Sequence, residues 1–110
     1  MKRFPSLKSS KEFAVVYNNA DSFANRNLVM YKSKNSLDKN RIGISVSKKV
    51  GNSVVRHRLT RLIREIFRLN SLSFTGYDIV VVIRVAAANC GYRELENSYI
   101  KLSKLHKDKI

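Results

Sequence analysis

The stretch from Lys48 to Arg68 holds the side chains of this sequence that are best suited to bind a polyanion. It contains seven Lys or Arg residues and a single acid, Glu65. Projected as a helix at about 100° per residue, its apolar side chains fall in one sector, formed by Val55, Leu59, Leu62, Ile63 and Ile66. The opposite side carries His57, Arg61, Arg64 and Arg68. A solvated helix usually intersperses charges of both signs, so this pattern predicts one face that packs and one that meets phosphate.

The charge balance of the whole chain favours the same partner. The 110 residues include 22 Lys or Arg and 8 Asp or Glu, for a formal charge of +14 and a pI near 10.4, which in a folded domain indicates nucleic-acid binding. A membrane partner is not indicated, because no apolar run approaches the ~20 residues that span a bilayer and the longest is Ile79–Ile83. The basic start Met1–Pro5 lacks the apolar region of a signal peptide. We therefore expect a cytoplasmic protein.

Groups that could catalyse a reaction or hold a metal ion do not converge in the sequence. The eight carboxylates are scattered, with no pair at i,i+3 or i,i+4, and the four glycines are isolated. His57 and His106 lack Cys or His neighbours at ligand spacing. The single cysteine, Cys90, excludes an internal disulfide and is expected to be a small buried or half-buried residue. The sequence thus predicts no catalytic residue and no metal site in the protein itself.

The two histidines and the start of the cationic helix have separate expected roles. His57 lies among arginines, so we expect it to hydrogen-bond or stack on RNA, with a plain surface residue as the alternative. His106 lies near the end of a predicted helix, where we expect it to be solvated or to interact with the helix dipole. Lys48 and Lys49, together with helix N-terminal amides near Asn52, could also bind an anion.

A second candidate RNA surface is aromatic. Phe13 and Tyr17 lie one helical turn apart, and Tyr31 lies in a predicted strand near Arg26. Aromatic rings flanked by positive charge are suited to the stacking of unpaired bases. The alternative is that all three rings belong to the core. Composition alone leaves this open, since residues 14–16 could supply the core instead.

Capping and alternation define the first half of the fold. Ser9 and Glu12 form a predicted capping box at the start of a helix. In chain order, the predicted elements are a helix over about Ser10–Asn18, a polar turn at Asp21–Asn27, a strand at Leu28–Lys32, a polar turn at Ser33–Asn40 and a strand at Arg41–Ser47. We expect the two strands to form a hairpin, with one face of the second strand apolar.

The second half begins with the cationic helix. The predicted elements are that helix, ending near Leu69–Ser73, a strand at Tyr77–Arg84, a link at Ala86–Gly91 and a helix over about Tyr92–His106. The strand is nearly all apolar, as expected of an interior strand covered on both faces. The last helix has an apolar stripe of Leu95, Tyr99, Leu102 and Leu105. The order helix, strand, strand, helix, strand, helix predicts a small α+β sandwich, with residues 1–110 as a single domain.

The segment Arg41–Glu65 closely resembles the signature of the protein subunit of bacterial ribonuclease P. The residues from Leu7 to Tyr17, the segment Phe23–Tyr31, the placement of Tyr77–Val80 and the closing helix also resemble that family. The resemblance therefore covers nearly the whole chain. It implies a small α+β fold in which the βαβ crossover is left-handed, against the usual right-handed preference.

The resemblance also implies two RNA surfaces. The surface for the catalytic RNA would lie on the crossover helix and comprise Arg56, His57, Arg58, Arg61, Arg64 and Arg68. A cleft between the first helix and the sheet would hold the single-stranded leader of precursor tRNA and comprise Phe13, Tyr17, Asn25, Arg26, Tyr31 and Lys49. His57 stands where the family usually has Asn, and Thr60 where Lys or Arg is common. The loss of one charge at Thr60 predicts a slightly shallower salt dependence of RNA binding.

By the same resemblance, the protein is the RNA-binding subunit of a ribonucleoprotein endoribonuclease. The RNA subunit would hydrolyse a phosphodiester with Mg²⁺, bound mainly through the RNA, while the protein would bind the leader and support Mg²⁺ binding. The implied partners are the catalytic RNA and precursor tRNA, and no protein partner is indicated. Two alternatives stay open: a generic basic RNA-binding protein, which the composition fits equally well, and a protein-only nuclease, which the lack of a catalytic cluster disfavours.

Overall fold

Three helices pack against a four-stranded mixed sheet in this computed structural model. The structure describes residues 6–7, 9–70, 72 and 74–109; the predicted basic start, residues 1–5, lies outside them, as do positions 8, 71, 73 and 110. The elements are α1 (Ser10–Asn19), β1 (Asp21–Ala24), β2 (Leu28–Lys34), β3 (Arg41–Val46), α2 (Ser53–Leu69), β4 (Tyr77–Ile83), a short 3₁₀ helix (Val85–Ala87) and α3 (Tyr92–Asp108). The predicted α+β class and the order of the six predicted elements are confirmed, with one additional strand, β1.

The sheet has the strand order β1-β2-β4-β3. The predicted hairpin between β2 and β3 is wrong. Strand β4 lies between them, antiparallel to β2 and parallel to β3. Val81, for example, faces Met30 on one side and Ile44 on the other. The reason is burial: β4 is the most continuously apolar strand, and both of its faces are covered, with Val80 in the core under α1 and Val81 in the core under α2 and α3. Helix α2 therefore connects two parallel neighbours, β3 and β4, and the left-handed sense of that crossover stays a prediction.

Strand β1 occupies part of the segment that was predicted to be a polar turn. Asp21–Ala24 pairs antiparallel with Val29–Lys32 at the edge of the sheet. Phe23 is its one half-buried residue. Edge strands are commonly short and polar, which is why the alternation of apolar residues that marks a strand is weak here.

The two faces of the sheet carry cores of different size. The larger core lies under α2 and α3 and includes Leu28, Met30, Ile42, Leu59, Ile63, Ile66, Ile79, Val81, Leu95, Tyr99 and Leu102. The smaller one lies under α1 and consists of Leu7, Val16 and Val80, with Phe13, Ala20, Tyr31 and Val82 packed around them. Helix α1 is thus held on the sheet by few apolar side chains, and Val16 is its one buried residue.

His106 is buried, and the prediction of a solvated side chain is wrong. Its side chain has 0% exposure, and its Nε2 lies 2.7 Å from the carbonyl oxygen of Met30. Helix α3 runs on to Asp108, so position 106 continues the buried stripe of the helix. Leu105, which was predicted for that stripe, is instead 44% exposed.

Candidate nucleic-acid interface

The outer face of α2 is the cationic surface that the sequence predicted. The helix begins at the N-cap Asn52, whose side-chain oxygen accepts a hydrogen bond from the amide of Val55 at 3.0 Å. Its inner residues Leu59, Ile63 and Ile66 are fully buried, while Val55 and Leu62 pack against the core from the side. On the outer side His57, Arg61, Arg64 and Arg68 are exposed. The amphipathic division of α2 is confirmed.

The predicted RNA-binding arginines of α2 have different partners within the protein. Arg58 donates from Nη1 to the carbonyl of Cys90 at 2.9 Å and from Nη2 to that of Ala88 at 2.8 Å. Arg56 is half-buried and donates from Nε to the carbonyl of Gly51 at 3.1 Å. Arg58 therefore ties α2 to the segment that precedes α3. Its guanidinium is exposed at the edge of the cationic face but is already hydrogen-bonded.

Other side chains of the α2 face form fewer hydrogen bonds and ion pairs within the protein. Arg68 forms an ion pair with Glu65 one turn earlier, which partly offsets its charge. Among the described residues, no hydrogen bond or ion pair engages His57, Arg61 or Arg64, so these three are the side chains most available to a polyanion.

Thr60, where the family commonly has a cation, turns its hydroxyl back into the helix. Its Oγ1 donates to the carbonyl of Arg56 at 2.9 Å. This hydrogen bond lies within the helix and adds no charge to the outer face; the shallower salt dependence of RNA binding stays a prediction. Lys48 and Lys49 lie exposed in the turn between β3 and α2, beside the helix N-terminus.

Three aromatic rings form a cluster on the opposite face of the sheet, and two of them, Phe13 and Tyr17, line a groove. The ring centroids of Tyr17 and Tyr31 are 4.9 Å apart in an edge-to-face arrangement, and those of Phe13 and Tyr17 are 6.4 Å apart. We call this the aromatic groove; its open part, about 460 Å³, is lined by Ser9, Ser10, Phe13, Ala14, Tyr17 and Ser45. Phe13 and Tyr31 are half-buried and Tyr17 is 40% exposed. All three rings are thus partly buried and partly exposed to solvent.

Of the neighbours predicted to supply the core under α1, one does so. Val16 is fully buried, whereas Ala14 is exposed and Val15 is 56% exposed. The half-buried Phe13 completes the apolar contact with the sheet. Phe13 and Tyr31 thus pack against the small core, while Phe13 and Tyr17 line the groove; the stacking of bases on these rings stays a prediction.

Asn25 does not lie in the aromatic groove. Its Nδ2 donates to the carbonyl of Ser98 on α3 at 3.0 Å, and its Oδ1 accepts from the amides of Asn27 and Leu28. The side chain thus closes the turn between β1 and β2 and joins it to α3, on the face opposite α1. An Asn-x-Asn sequence between two strands is a typical turn signal, and this signal accounts for its position.

Arg26 lies in the turn between β1 and β2, where its charge acts on the thiol of Cys90 just before α3. Burial raises the pKa of the Cys90 thiol and Glu94 raises it further, while the charges of Arg26 and Arg58 act in the opposite direction. Arg26 is exposed. It therefore adds its charge to the end of the molecule where α2 and α3 begin, and the structure does not bring it together with the aromatic rings.

A network that sequence reasoning missed holds α1 to the sheet. Arg41 forms ion pairs with Glu12 of α1 at 2.8 Å and with Asp78 of β4 at 2.7 Å. The three residues are far apart in the sequence, and no local pattern marks them.

The described part of the chain contains neither a cluster of metal-ligating side chains nor a helix that could span a membrane. Among those residues, no group of three or more His, Cys, Asp or Glu side chains could hold a metal ion. No described helix combines the length and the apolar character needed to cross a bilayer.

Comparisons with known proteins agree with one another. The family model Ribonuclease P matches residues 1–107. The ribonuclease P protein component of Lachnoclostridium phytofermentans is 58% identical over 103 residues, which cover 93% of this chain and 89% of the relative. Among solved structures, the Staphylococcus aureus RNase P protein has a TM-score of 0.88 at 35% identity and covers 96% of this chain and 97% of that chain. The Thermotoga maritima RNase P protein has a TM-score of 0.82 at 28% identity, with 90% and 96% covered. This chain belongs to the ribonuclease P protein family.

Proposed function

We propose that this protein is the RNA-binding subunit of ribonuclease P, which assists a catalytic RNA in the endonucleolytic removal of the 5′ leader from precursor tRNA. The observation that carries the proposal is the presence of two chemically different surfaces on opposite sides of one sheet. One is the cationic face of α2, and the other is the aromatic groove under α1. Family membership supplies the reaction, and we expect the protein to act in the cytoplasm with its two RNA partners.

The face of α2 is suited to the catalytic RNA. His57, Arg61 and Arg64 project from a helix that is fixed to the core by its other side, so their positions are set before RNA arrives. Guanidinium groups match phosphate geometry, and each neutralised phosphate releases counterions and thereby contributes to affinity. Arg58 contributes indirectly, because its hydrogen bonds to the segment before α3 keep α2 in place.

The aromatic groove is suited to the unpaired leader. An exposed tyrosine ring at the edge of a hydrophobic floor can stack on a base of any sequence, and the exposed Lys49 lies in the turn after β3, whose Ser45 lines the groove. Precursor tRNA has a leader and mature tRNA does not. A groove that binds the leader therefore favours substrate over product.

The chemistry is assigned to the RNA subunit. Among the described residues, no group of three or more His, Cys, Asp or Glu side chains could hold a metal ion, and we expect Mg²⁺ to be bound mainly by RNA. The protein supports that binding indirectly, because cationic side chains that neutralise nearby phosphates allow RNA strands to approach more closely.

A reconstitution assay tests the function. Precursor tRNA is incubated at low Mg²⁺ with the protein alone, with the cognate catalytic RNA alone, and with both. We expect cleavage at the mature 5′ end to be stimulated only when both are present. Cleavage by the protein alone would indicate a protein nuclease, and the absence of any stimulation would indicate a generic RNA-binding protein.

A matched pair of variants tests whether the stimulation depends on the cationic face of α2. Arg61→Gln with Arg64→Gln should abolish most of the stimulation by removing two available cations. Lys101→Gln with Lys104→Gln removes the same charge from exposed positions of α3 and should retain it. Equal losses in the two variants would show that net charge, rather than the α2 face, is responsible.

A further inference from the structure

Arg41 joins three elements of the fold through a single guanidinium group. It is the first residue of β3. Its Nε and Nη2 donate to Oδ1 and Oδ2 of Asp78 on β4, at 2.8 and 2.7 Å, and its Nη1 donates to Oε2 of Glu12 on α1 at 2.8 Å. The two bonds to Asp78 form the parallel, bidentate arrangement that makes Arg–carboxylate pairs specific in geometry.

The end of this network on the sheet is rigid. Asp78 belongs to the interior strand, its side chain is 9% exposed, and Nδ2 of Asn35 donates to the same Oδ1 at 2.8 Å. The hydrogen bond with Asp78 is also the main cause that raises the pKa of Arg41 above its usual range. Since Asp78 is buried in the sheet and also bound by Asn35, the guanidinium of Arg41 is held at a fixed position on the sheet.

The other end lies in the first turn of α1. The two carboxylate oxygens of Glu12 have separate roles: Oε1 accepts from the amide of Ser9 at 3.1 Å and closes the capping box, while Oε2 accepts from Arg41. Phe13 is the next residue. Because α1 has only Val16 fully buried against the sheet, this polar link is a major constraint on the rotation of the helix about its own axis.

We propose that Arg41 is a positioning residue for the aromatic groove. By holding Glu12 at a fixed place over the sheet, it sets the position of Phe13 and Tyr17 on α1 relative to Tyr31 on β2. The side chain of Arg41 is 24% exposed, and all three of its nitrogens donate within the protein, so it acts through α1 rather than as a phosphate contact. The inference rests on the proposed function, in which the groove holds the leader.

The first test needs no RNA. NMR signals of the rings of Phe13, Tyr17 and Tyr31 are compared in the free protein, in Arg41→Gln and in Lys39→Gln. The control removes the same charge from an exposed position two residues earlier. We expect the ring signals to shift in Arg41→Gln alone. Ring signals that match the wild type in a folded Arg41→Gln protein would overturn the proposal.

Glu12→Gln is a second variant in case the first fails to fold. Gln still serves in a capping box, so α1 keeps its start while losing the ion pair with Arg41. We expect the same ring signals to shift as in Arg41→Gln. A folded Glu12→Gln protein with wild-type ring signals would contradict the inference.

The second test measures the preference of the reconstituted holoenzyme for precursor over mature tRNA. Arg41→Gln should lower the ratio of the two affinities roughly fivefold, and Lys39→Gln should leave it unchanged. In a background that lacks both α1 rings, Phe13→Ala with Tyr17→Ala, Arg41→Gln should lower the ratio no further. If it lowers the ratio equally in both backgrounds, Arg41 contacts RNA directly and the proposal is wrong.

The two tests separate failure of this inference from failure of the proposed function. A wild-type holoenzyme that binds precursor and mature tRNA equally would refute leader binding by the groove. The NMR comparison would still decide whether Arg41 positions the aromatic rings.

Discussion

The ring of Phe13 lies directly against Gly43, with no room for a side chain between them. A Cβ atom at Gly43 would lie 2.8 Å from Cζ and 2.9 Å from Cε1 of that ring, and 3.0 Å from Cδ1 of Leu7. Gly43 is buried in β3, on the side of the sheet that faces α1. The missing side chain therefore lets α1 approach the sheet closely enough for Phe13 to line the aromatic groove.

Gly43→Ala should disturb both packing and leader binding. The added methyl group forces Phe13 and Leu7 to move, and overpacking of this kind costs about 1–3 kcal/mol in the free energy of unfolding. We expect a lower urea midpoint and a reduced affinity for precursor tRNA. Gly91→Ala is the control, since a Cβ there meets nothing within 4 Å; it should leave precursor binding intact. Unchanged precursor affinity in Gly43→Ala would show that the ring position is not critical.

Removing two rings of the groove should weaken precursor binding more than mature tRNA binding. Phe13→Ala combined with Tyr31→Ala deletes stacking partners that are each worth about 1–3 kcal/mol per base. Equilibrium binding of the two tRNAs to the reconstituted holoenzyme measures the difference. Phe23→Ala removes a ring that packs on His106 instead and should not change the preference. Equal losses for precursor and mature tRNA would refute the role of the groove.

Arg58 and Arg64 should respond differently to truncation, although both lie on α2. Arg58→Ala removes two hydrogen bonds to the carbonyls of Ala88 and Cys90; hydrogen bonds of charged groups contribute about 1.5–3 kcal/mol each, so the free energy of unfolding should fall. Arg64→Ala should leave stability unchanged and make the salt dependence of RNA binding shallower. Urea unfolding and binding at several salt concentrations separate the two. The assignment fails if both variants lose RNA affinity with no loss of stability.

Protonation of His106 should destabilise the fold at acidic pH. Burial is the main cause that lowers the pKa of this side chain, with Lys32 and Lys109 acting in the same direction and the hydrogen bond to Met30 and the charge of Asp21 opposing them. The unfolded chain binds a proton near pH 6.5 where the folded chain does not. Unfolding therefore takes up a proton, and the free energy of unfolding falls as the pH drops below about 6.5, by at most about 1.4 kcal/mol per pH unit.

Urea unfolding between pH 5 and pH 7.5 checks this dependence. His106→Gln should flatten the slope below pH 6.5, because Gln can still donate to the carbonyl of Met30 and does not titrate. His57→Gln alters an exposed histidine and should leave the slope as it is. A slope that persists in His106→Gln would mean that another group takes up the proton.

Local patterns accounted for most elements of the fold. The capping box of Ser9 and Glu12, the amphipathic division of α2 and the apolar β4 are each encoded by neighbouring residues, so the sequence by itself determined where these elements form. The charge of +14 and the face of α2 likewise pointed to a polyanion. Propensity, capping and periodicity act over a few residues, and these features depend on nothing else.

Tertiary structure decided what depends on residues far apart in the chain. Which strands pair was set by the burial of β4 and not by the turn after β2, and the short edge strand β1 forms because β2 offers it a partner. Asn25 and Arg58 act within the protein because the carbonyl of Ser98 on α3 lies next to Asn25 and the carbonyls of Ala88 and Cys90 lie next to Arg58. Long-range packing also buries His106 and brings Arg41 to Glu12 and Asp78. A local pattern carries no information about contacts of this kind, since the free energy that selects them is available only when the whole sheet and its helices have assembled.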